Sequence, residues 1–371
     1  MNETIFSTRM DHIDTSLIRK MFDKATQLKN PINLSIGQPH FATPQNIVEA
    51  AKKALTDGQT SYSQTQGIVP LREEMAKYFH EKNSISATPD QIIISSGVSS
   101  LLQLLFMATI DPGDRVLLVS PAFLIYRGLV SFFRAEEELL DQNFTKDDLQ
   151  NVKKDKLKLI IFSSPSNPTG YIMKQEQIKA LAELAEETGA ILVSDEIYSL
   201  FDYDRKFIST GSVYPKTLTL FGFSKSYSMT GLRLAAATGP APVLKALTTL
   251  QQYTVVCAPT PVQWAGIEAL KTDMSTHIAD YKTKRDYMKK RLRPVTEFYE
   301  PEGAFYIFAK IPGDDLSFCE HAIQKKELLV VPGRISTNET NWIRISYAQE
   351  QQVLERGVDA LIELIQESKS Q

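Results

Sequence analysis

Residues 159–193, LIIFSSPSNPTGYIMKQEQIKALAELAEETGAILV, decide the fold. Leu159 to Phe162 is a short apolar, β-rich run. Ser163 to Gly170 is crowded with turn-forming residues. Gln175 to Glu187 repeats its apolar residues at helical spacing and closes at Gly189, a residue suited to the left-handed position after a helix. Ile191 to Val193 is a second β-rich run. Strand, turn, helix and strand in this order make a βαβ unit, which requires parallel strands. The Ser163–Gly170 segment reads locally as a plain turn, yet it leaves the C-terminal end of a parallel strand, where α/β sheets bind ligands.

The same alternation extends on both sides. Ile92 to Ile94, Val116 to Val119, Leu218 to Phe223 and Leu234 to Thr238 read as strands, and Leu101 to Thr109 as a helix. After Pro261 the pattern changes to long charged helices such as Ile278 to Leu292, strand-like Ala304 to Ala309 and Trp342 to Ser346, and a C-terminal helix. The expected fold is α/β, with a three-layer, mainly parallel sheet in a large domain and a smaller α+β domain. Residues 1–44 form an arm and part of the small domain, 45–275 the large domain and 276–371 the small one. The crevice between the two domains is the expected site.

With 371 residues, 43% of them hydrophobic, the chain can bury a large core. Lys and Arg total 41 against 44 for Asp and Glu, a net charge of -3. That balance makes no electrostatic case for nucleic acid or an anionic membrane, and no apolar run reaches the length of a membrane span. Cys257 and Cys319 lie far apart and the five histidines are scattered, so no metal motif or disulfide is expected, and buried structural roles fit the cysteines better. The N-terminus carries no targeting pattern, and the expected location is the cytoplasm.

Besides the Ser163–Gly170 turn, three strand ends carry candidate chemistry. Lys225 follows the Leu218–Phe223 run, flanked by small hydroxyl residues, and Arg233 comes eight residues later. A lysine there is commonly a surface charge, but drawn out of water it becomes a nucleophilic amine. Ser95-Ser96-Gly97-Val98-Ser99-Ser100 joins a strand to a helix. Empty, it is an ordinary turn; occupied, its free N–H groups suit a phosphate, and Arg233 is able to clamp the same group. Asp195, leaving an apolar strand, is either a helix cap or the partner of a buried cation such as a protonated ring nitrogen.

In this order and at these separations, Gly97-Val98-Ser99, Asn167-Pro168-Thr169-Gly170, Asp195-Glu196-Ile197-Tyr198, Ser224-Lys225 and Arg233 resemble the fold-type I pyridoxal-phosphate-dependent aminotransferases of the aspartate aminotransferase superfamily. The resemblance covers nearly the whole chain, from Asn33-Leu34-Ser35-Ile36-Gly37-Gln38-Pro39 through Tyr62-Ser63-Gln64-Thr65-Gln66-Gly67 to Trp342-Ile343-Arg344-Ile345-Ser346.

By that resemblance the cofactor is pyridoxal 5'-phosphate, and Lys225 is its Schiff-base lysine and the proton shuttle. Asp195 would pair with the ring nitrogen, Asn167 and Tyr198 with the ring hydroxyl oxygen, and Phe123 would stack on the ring face. Arg233, Ser224 and the Val98 and Ser99 amides would hold the phosphate. Tyr62 would reach the phosphate of a neighbouring subunit, which implies a homodimer with shared active sites. Arg344, with Gly37 and Asn167, would bind the substrate carboxylate, and the Asn167–Pro168 bond is expected to be cis. The reaction implied is transfer of an amino group between an α-amino acid and a 2-oxo acid.

The chain also departs from the pattern. Gly222 stands where many relatives carry a phosphate-binding serine, and Ser99 where some carry a lysine. No arginine falls between Gln251 and Gln263 to meet a distal carboxylate. This favours neutral or aromatic amino acids, with Phe305, Tyr306 and Tyr126 as expected pocket walls, although Arg19 or Arg127 would also serve an acidic substrate. The alternatives are a carbon–sulfur β-lyase on the same cofactor and an aspartate aminotransferase with a non-standard distal site.

Overall fold

The computed structural model describes residues 5–13 and 28–370; the rest of the N-terminal arm, with Arg19, lies outside them. In chain order its strands are β1 (Ile32–Asn33), β2 (Ile92–Ser95), β3 (Arg115–Ser120), β4 (Glu136–Asp141), β5 (Leu157–Ser163), β6 (Ile191–Asp195), β7 (Leu218–Gly222), β8 (Ala235–Thr238), β9 (Tyr306–Lys310), β10 (Leu328–Leu329), β11 (Val331–Pro332) and β12 (Trp342–Ser346).

Seven of these form one sheet in the order β2-β8-β7-β6-β5-β3-β4. Its strands are parallel except for β8, which runs against both neighbours. The βαβ unit forms as the sequence predicts: the helix Gln175–Thr188 ends at Gly189 (φ 72) and β6 pairs in parallel with β5. Apolar residues of the two sheet faces fill separate clusters, one around Leu101–Phe106 and Tyr126, the other around Ile178–Ala185 and Phe162. That is a three-layer α/β arrangement with a large, mostly parallel central sheet.

Two local readings need correction. β4 is absent from the expected strands because its sequence, Glu-Glu-Glu-Leu-Leu-Asp, carries charge where strands are usually apolar. It lies at the sheet edge, and Glu136 and Glu137 ion-pair with Arg115 and Arg127. The strand expected to end at Phe223 ends at Gly222, and Phe223–Ser226 turns into a single helical turn bearing Lys225.

The sheet topology brings the candidate loops to one edge. Parallel β3, β5, β6 and β7 deliver Phe123, Asn167, Asp195 and Lys225 beyond their C-terminal ends. Antiparallel β8 begins where β7 finishes, so Arg233 arrives at the same edge. β2, antiparallel to β8, exits there too and carries Gly97.

A second, antiparallel sheet has the order β11-β12-β9 and places Arg344 opposite Val331 and Phe308. Ile343 and Ile345 point into an apolar cluster with Phe305, Ile307, Leu354 and Leu361, so strand alternation turns Arg344 the other way. β1 from the N-terminal side pairs in parallel with β10. Tyr198, Phe201 and Tyr203 from beyond β6 pack into the same cluster, fixing the two sheets against each other. Among the described residues, no helix is long and apolar enough to cross a membrane. Cys319 is buried, Cys257 only half-buried, and both are free.

Candidate active site

A cavity of about 450 Å³ opens between the two sheets, lined by Gly37, Val98, Ser99, Phe123, Asn167, Asp195, Tyr198, Ser224, Lys225, Arg233 and Arg344. The structure thus brings together all but one of the site residues read from the sequence. Tyr62 is 84% exposed and does not line this cavity.

Lys225 sits on its one-turn helix with its amine donating to the Gly37 carbonyl at 2.6 Å. Burial first, then the positive fields of Arg344 and Arg233, pull its pKa down to about 8. At pH 7 a lysine of that pKa is neutral in roughly one molecule in ten, against about one in 3,000 for an ordinary side chain. The site therefore raises the share of neutral amine near physiological pH several-hundredfold, although the ammonium stays the larger fraction at pH 7.

Asp195 is buried, and burial raises its carboxyl to about 6. The Tyr126 hydroxyl donates to its Oδ2 at 2.7 Å and the Ile197 amide to its Oδ1 at 3.2 Å. Tyr126 was expected as a pocket wall. Its ring does line the cavity, but its hydroxyl fixes the carboxylate, a role that sequence reasoning missed because nothing local links residues 126 and 195. Phe305 needs a fuller correction: it is fully buried, edge-on to Tyr198 at 5.3 Å, and does not line the cavity. Tyr306 does, and its hydroxyl pairs with that of Tyr198 at 2.8 Å.

Adjacent Glu196 points the opposite way. It accepts from Asn83 at 2.9 Å, from Ser209 at 2.8 Å and from the Thr210 amide at 3.0 Å. Burial raises it to about 7, and it serves the turn beyond β6 from outside the cavity.

The phosphate side is a built cradle. The helix Val98–Thr109 starts at Gly97 with no side-chain cap, leaving its first amides free. Gly97 has φ 94, and a Cβ there would lie 2.3 Å from the Arg233 guanidinium, so only glycine lets arginine and helix end meet. Arg233 is itself left-handed (φ 58), held by a 3.0 Å bond to the Thr230 carbonyl and a longer contact to Ser224. Gly222 has a steric reason: a Cβ there would stand 2.5 Å from Ile197 Cγ1, so Ile197 occupies the space a serine would need.

At the opposite wall, Arg344 donates to Asn167 Oδ1 at 3.1 Å and to the Ser35 carbonyl at 2.8 Å. Its guanidinium stacks 4.7 Å above the Tyr306 ring, and its buried Nε has no acceptor. Because Asn167 Oδ1 accepts from Arg344, its amide nitrogen is left to donate into the cavity. The Asn167–Pro168 bond is cis.

Three features test the cofactor that the resemblance implies. The uncapped helix end with Arg233 fits a phosphate dianion. The buried Asp195, whose only protein donors among the described residues are a hydroxyl and an amide, fits a protonated ring nitrogen. The depressed Lys225 amine fits an aldehyde. The donor set therefore matches pyridoxal phosphate.

Arg127 is not available to a distal carboxylate. It forms a two-point pair with Glu137 and also donates to the Arg334 and Thr337 carbonyls and to Asn338 Oδ1. Besides Lys225, Arg233 and Arg344 the cavity is lined by no cation among the described residues, while Leu102, Leu124 and Ile125 give it an apolar wall.

Comparison with known proteins agrees with this geometry. The model of the family described as aminotransferase class I and II matches residues 29–361. A probable aspartate aminotransferase of Methanocaldococcus jannaschii is 37% identical over 98% of this chain and all of its own. Aromatic-amino-acid aminotransferase 2 of Thermococcus litoralis is 33% identical, covering 98% of this chain and 99% of its own. The crystal structure of an aspartate aminotransferase from Thermotoga maritima superposes with a TM-score of 0.92 at 31% identity, over 97% of this chain and 100% of that one.

Proposed function

Because this chain belongs to the class I and II aminotransferases and is a pyridoxal 5'-phosphate-dependent transaminase, we propose which residues do the work and which amino acids it prefers. The observation that carries the reading is Lys225, a half-buried amine of lowered pKa between a phosphate cradle and a carboxylate-binding arginine.

When bound, the cofactor supplies an electron-withdrawing ring that takes up the electron pair left by Cα–H cleavage. Asp195, held ionised by the Tyr126 and Ile197 donors, keeps the ring nitrogen protonated. Arg344 and Asn167 grip the substrate carboxylate and so orient the Cα–H bond toward Lys225. The Lys225 amine would take that proton as general base and give it back as general acid on the way to the 2-oxo acid. Val98, Ser99, Ser224 and Arg233 would hold the phosphate, Phe123 would pack on the ring face, and Tyr198 and Asn167 would donate to the ring oxygen. Gly37 offers its carbonyl as the resting place of the Lys225 amine.

We further propose a preference for neutral or aromatic amino acids over dicarboxylic ones, because an unpaired distal carboxylate is costly to bury against Leu102, Leu124 and Ile125. Conversion of bound cofactor to its amine form by phenylalanine, tyrosine, leucine, kynurenine, alanine and aspartate tests this. Aromatic donors are expected to be fastest; aspartate faster than all of them sinks the preference.

We also propose a homodimer with shared sites. Tyr62 and Tyr253 are both exposed, and the Thr260–Ser61 and Gln251–Thr65 bonds tie their segments together. Large exposed aromatic side chains of this kind suit an interaction surface. Residues 1–44, 45–275 and 276–371 serve as arm, large and small domains in this reading. The two free cysteines accord with a cytoplasmic location.

A further inference from the structure

The loop from Ser35 to Thr43 touches both working cations of the site: Ser35 offers its carbonyl to Arg344 and Gly37 to Lys225. Its sequence, Ser-Ile-Gly-Gln-Pro-His-Phe-Ala-Thr, contains a single titratable side chain, His40. The loop is tied down at three further points. Thr43 donates to the Ser228 carbonyl at 2.7 Å, the Phe41 ring stacks on His277 at 4.0 Å, and His40 docks on the helix Ser275–Leu292.

The His40 contacts define its proton. Lys284, whose side chain is only 4% exposed and which pairs with Asp280 at 2.7 Å, lies 2.9 Å from His40 Nε2. An ammonium has donors and no acceptor, so Nε2 accepts and carries no hydrogen. The ring proton is then on Nδ1, which lies 3.0 Å from the Tyr281 hydroxyl; that same oxygen accepts from the His40 amide at 3.1 Å. His40 thus bridges the Tyr281 hydroxyl and the Lys284–Asp280 pair on one helix, apart from the cofactor cradle.

We propose that His40 is a positioning residue of the reaction: as the neutral, Nδ1-protonated ring it clamps the Ser35–Thr43 loop to the 275–292 helix, and protonation of the ring releases the carbonyls that hold Arg344 and Lys225. A proton on Nε2 would end the bond from Lys284 at 2.9 Å, the nearer neighbour, with the Asp280 carboxylate farther off at 3.6 Å. The groups facing the ring are Lys284 and His277, which oppose a positive charge there, and Asp280 and Glu350, which favour it. Burial first, then Lys284, lowers the His40 pKa from its ordinary 6.5. For a histidine lowered in the folded state the sign is fixed: the clamp is at full strength above pH 6.5 and weakens as pH falls below it.

This inference rests on the roles proposed for Gly37 and Arg344, and its main readout needs no turnover. Hydrogen–deuterium exchange of residues 35–43, corrected for intrinsic rates, is compared at pH 7.5 and 5.5 in wild type, His40→Gln and His40→Ala, each as apo- and holoprotein. Wild-type protection is expected to fall about tenfold at the lower pH. His40→Gln, whose amide oxygen still accepts from Lys284 but does not titrate, is expected to hold its protection across that range and to flatten the acid limb of kcat/KM. His40→Ala is expected to raise KM about tenfold with kcat within twofold. Nitrogen-15 shifts of the ring at pH 8 should place the proton on Nδ1. Wild-type protection that ignores pH, the same fall in His40→Gln, or a ring proton on Nε2 overturns the proposal. Failure of every amino acid to react with wild type would instead sink the transaminase roles while leaving the exchange result intact.

Discussion

The two walls of the active site are built differently. On the cofactor wall, Val98, Asn167, Asp195, Lys225 and Arg233 each lie within a few residues of a strand end in one sheet, so backbone pairing and strand direction bring them together. On the substrate wall, Ser35, Gly37, Tyr306 and Arg344 come from three distant parts of the chain. They meet through bonds such as Ser346 amide to Leu34 carbonyl at 2.8 Å and Gln349 to the Asn33 carbonyl at 2.8 Å. The first wall is set by topology, the second by tertiary docking. Damage to the first should appear in chemistry, damage to the second in substrate binding.

Three substitutions probe that contrast, starting with the largest effect. Lys225→Ala removes both nucleophile and proton carrier and is expected to lower kcat by at least about 10⁴-fold. The phosphate cradle should still retain the cofactor, as equilibrium dialysis would show. Normal turnover by this variant would remove the amine from the mechanism.

Arg344→Ala is expected to raise KM about 100-fold, the scale of losing a buried two-point charge pair. The cofactor should stay bound, but because the Arg344 charge helps to lower the Lys225 pKa and Arg344 donates to Asn167, the pH at which its absorption changes should move up. An unchanged KM would erase the distinction between the walls.

Tyr126→Phe deletes one donor to a buried carboxylate, a loss of about 1.5–3 kcal/mol, and is expected to lower kcat roughly tenfold with KM unchanged. Since the Tyr126 bond favours the ionised form of Asp195, its removal raises the pH at which that carboxylate takes up a proton. Cofactor capture by the apoprotein should therefore lose its acid limb at higher pH than in wild type, where Asp195 titrates near 6. A shift to lower pH breaks this assignment.

Legibility followed the same divide. Ser163–Gly170, Asp195 and Lys225 announce themselves because a short apolar run followed by turn residues or a lone charge is a local signal. β4 was missed because an edge strand is free to carry three glutamates once arginines on neighbouring elements neutralise them. Tyr126 and Phe305 shared one expectation and parted for one reason: an aromatic residue in sequence does not reveal whether its ring meets the cavity, as Tyr126 does, or only the core, as Phe305 does. Arg127 looked free for a substrate until Glu137 and the 334–338 segment were seen to take its donors.

The sequence by itself determined the alternating α/β frame, the order of its strand-end motifs and hence the class of chemistry, because period and turn composition are properties of neighbouring residues. Only the tertiary structure decided that Asp195 is held by Tyr126, that Ile197 fills the space above Gly222, and that His40 meets Lys284. Those facts depend on distances between side chains far apart in the chain, which packing sets and local pattern does not encode.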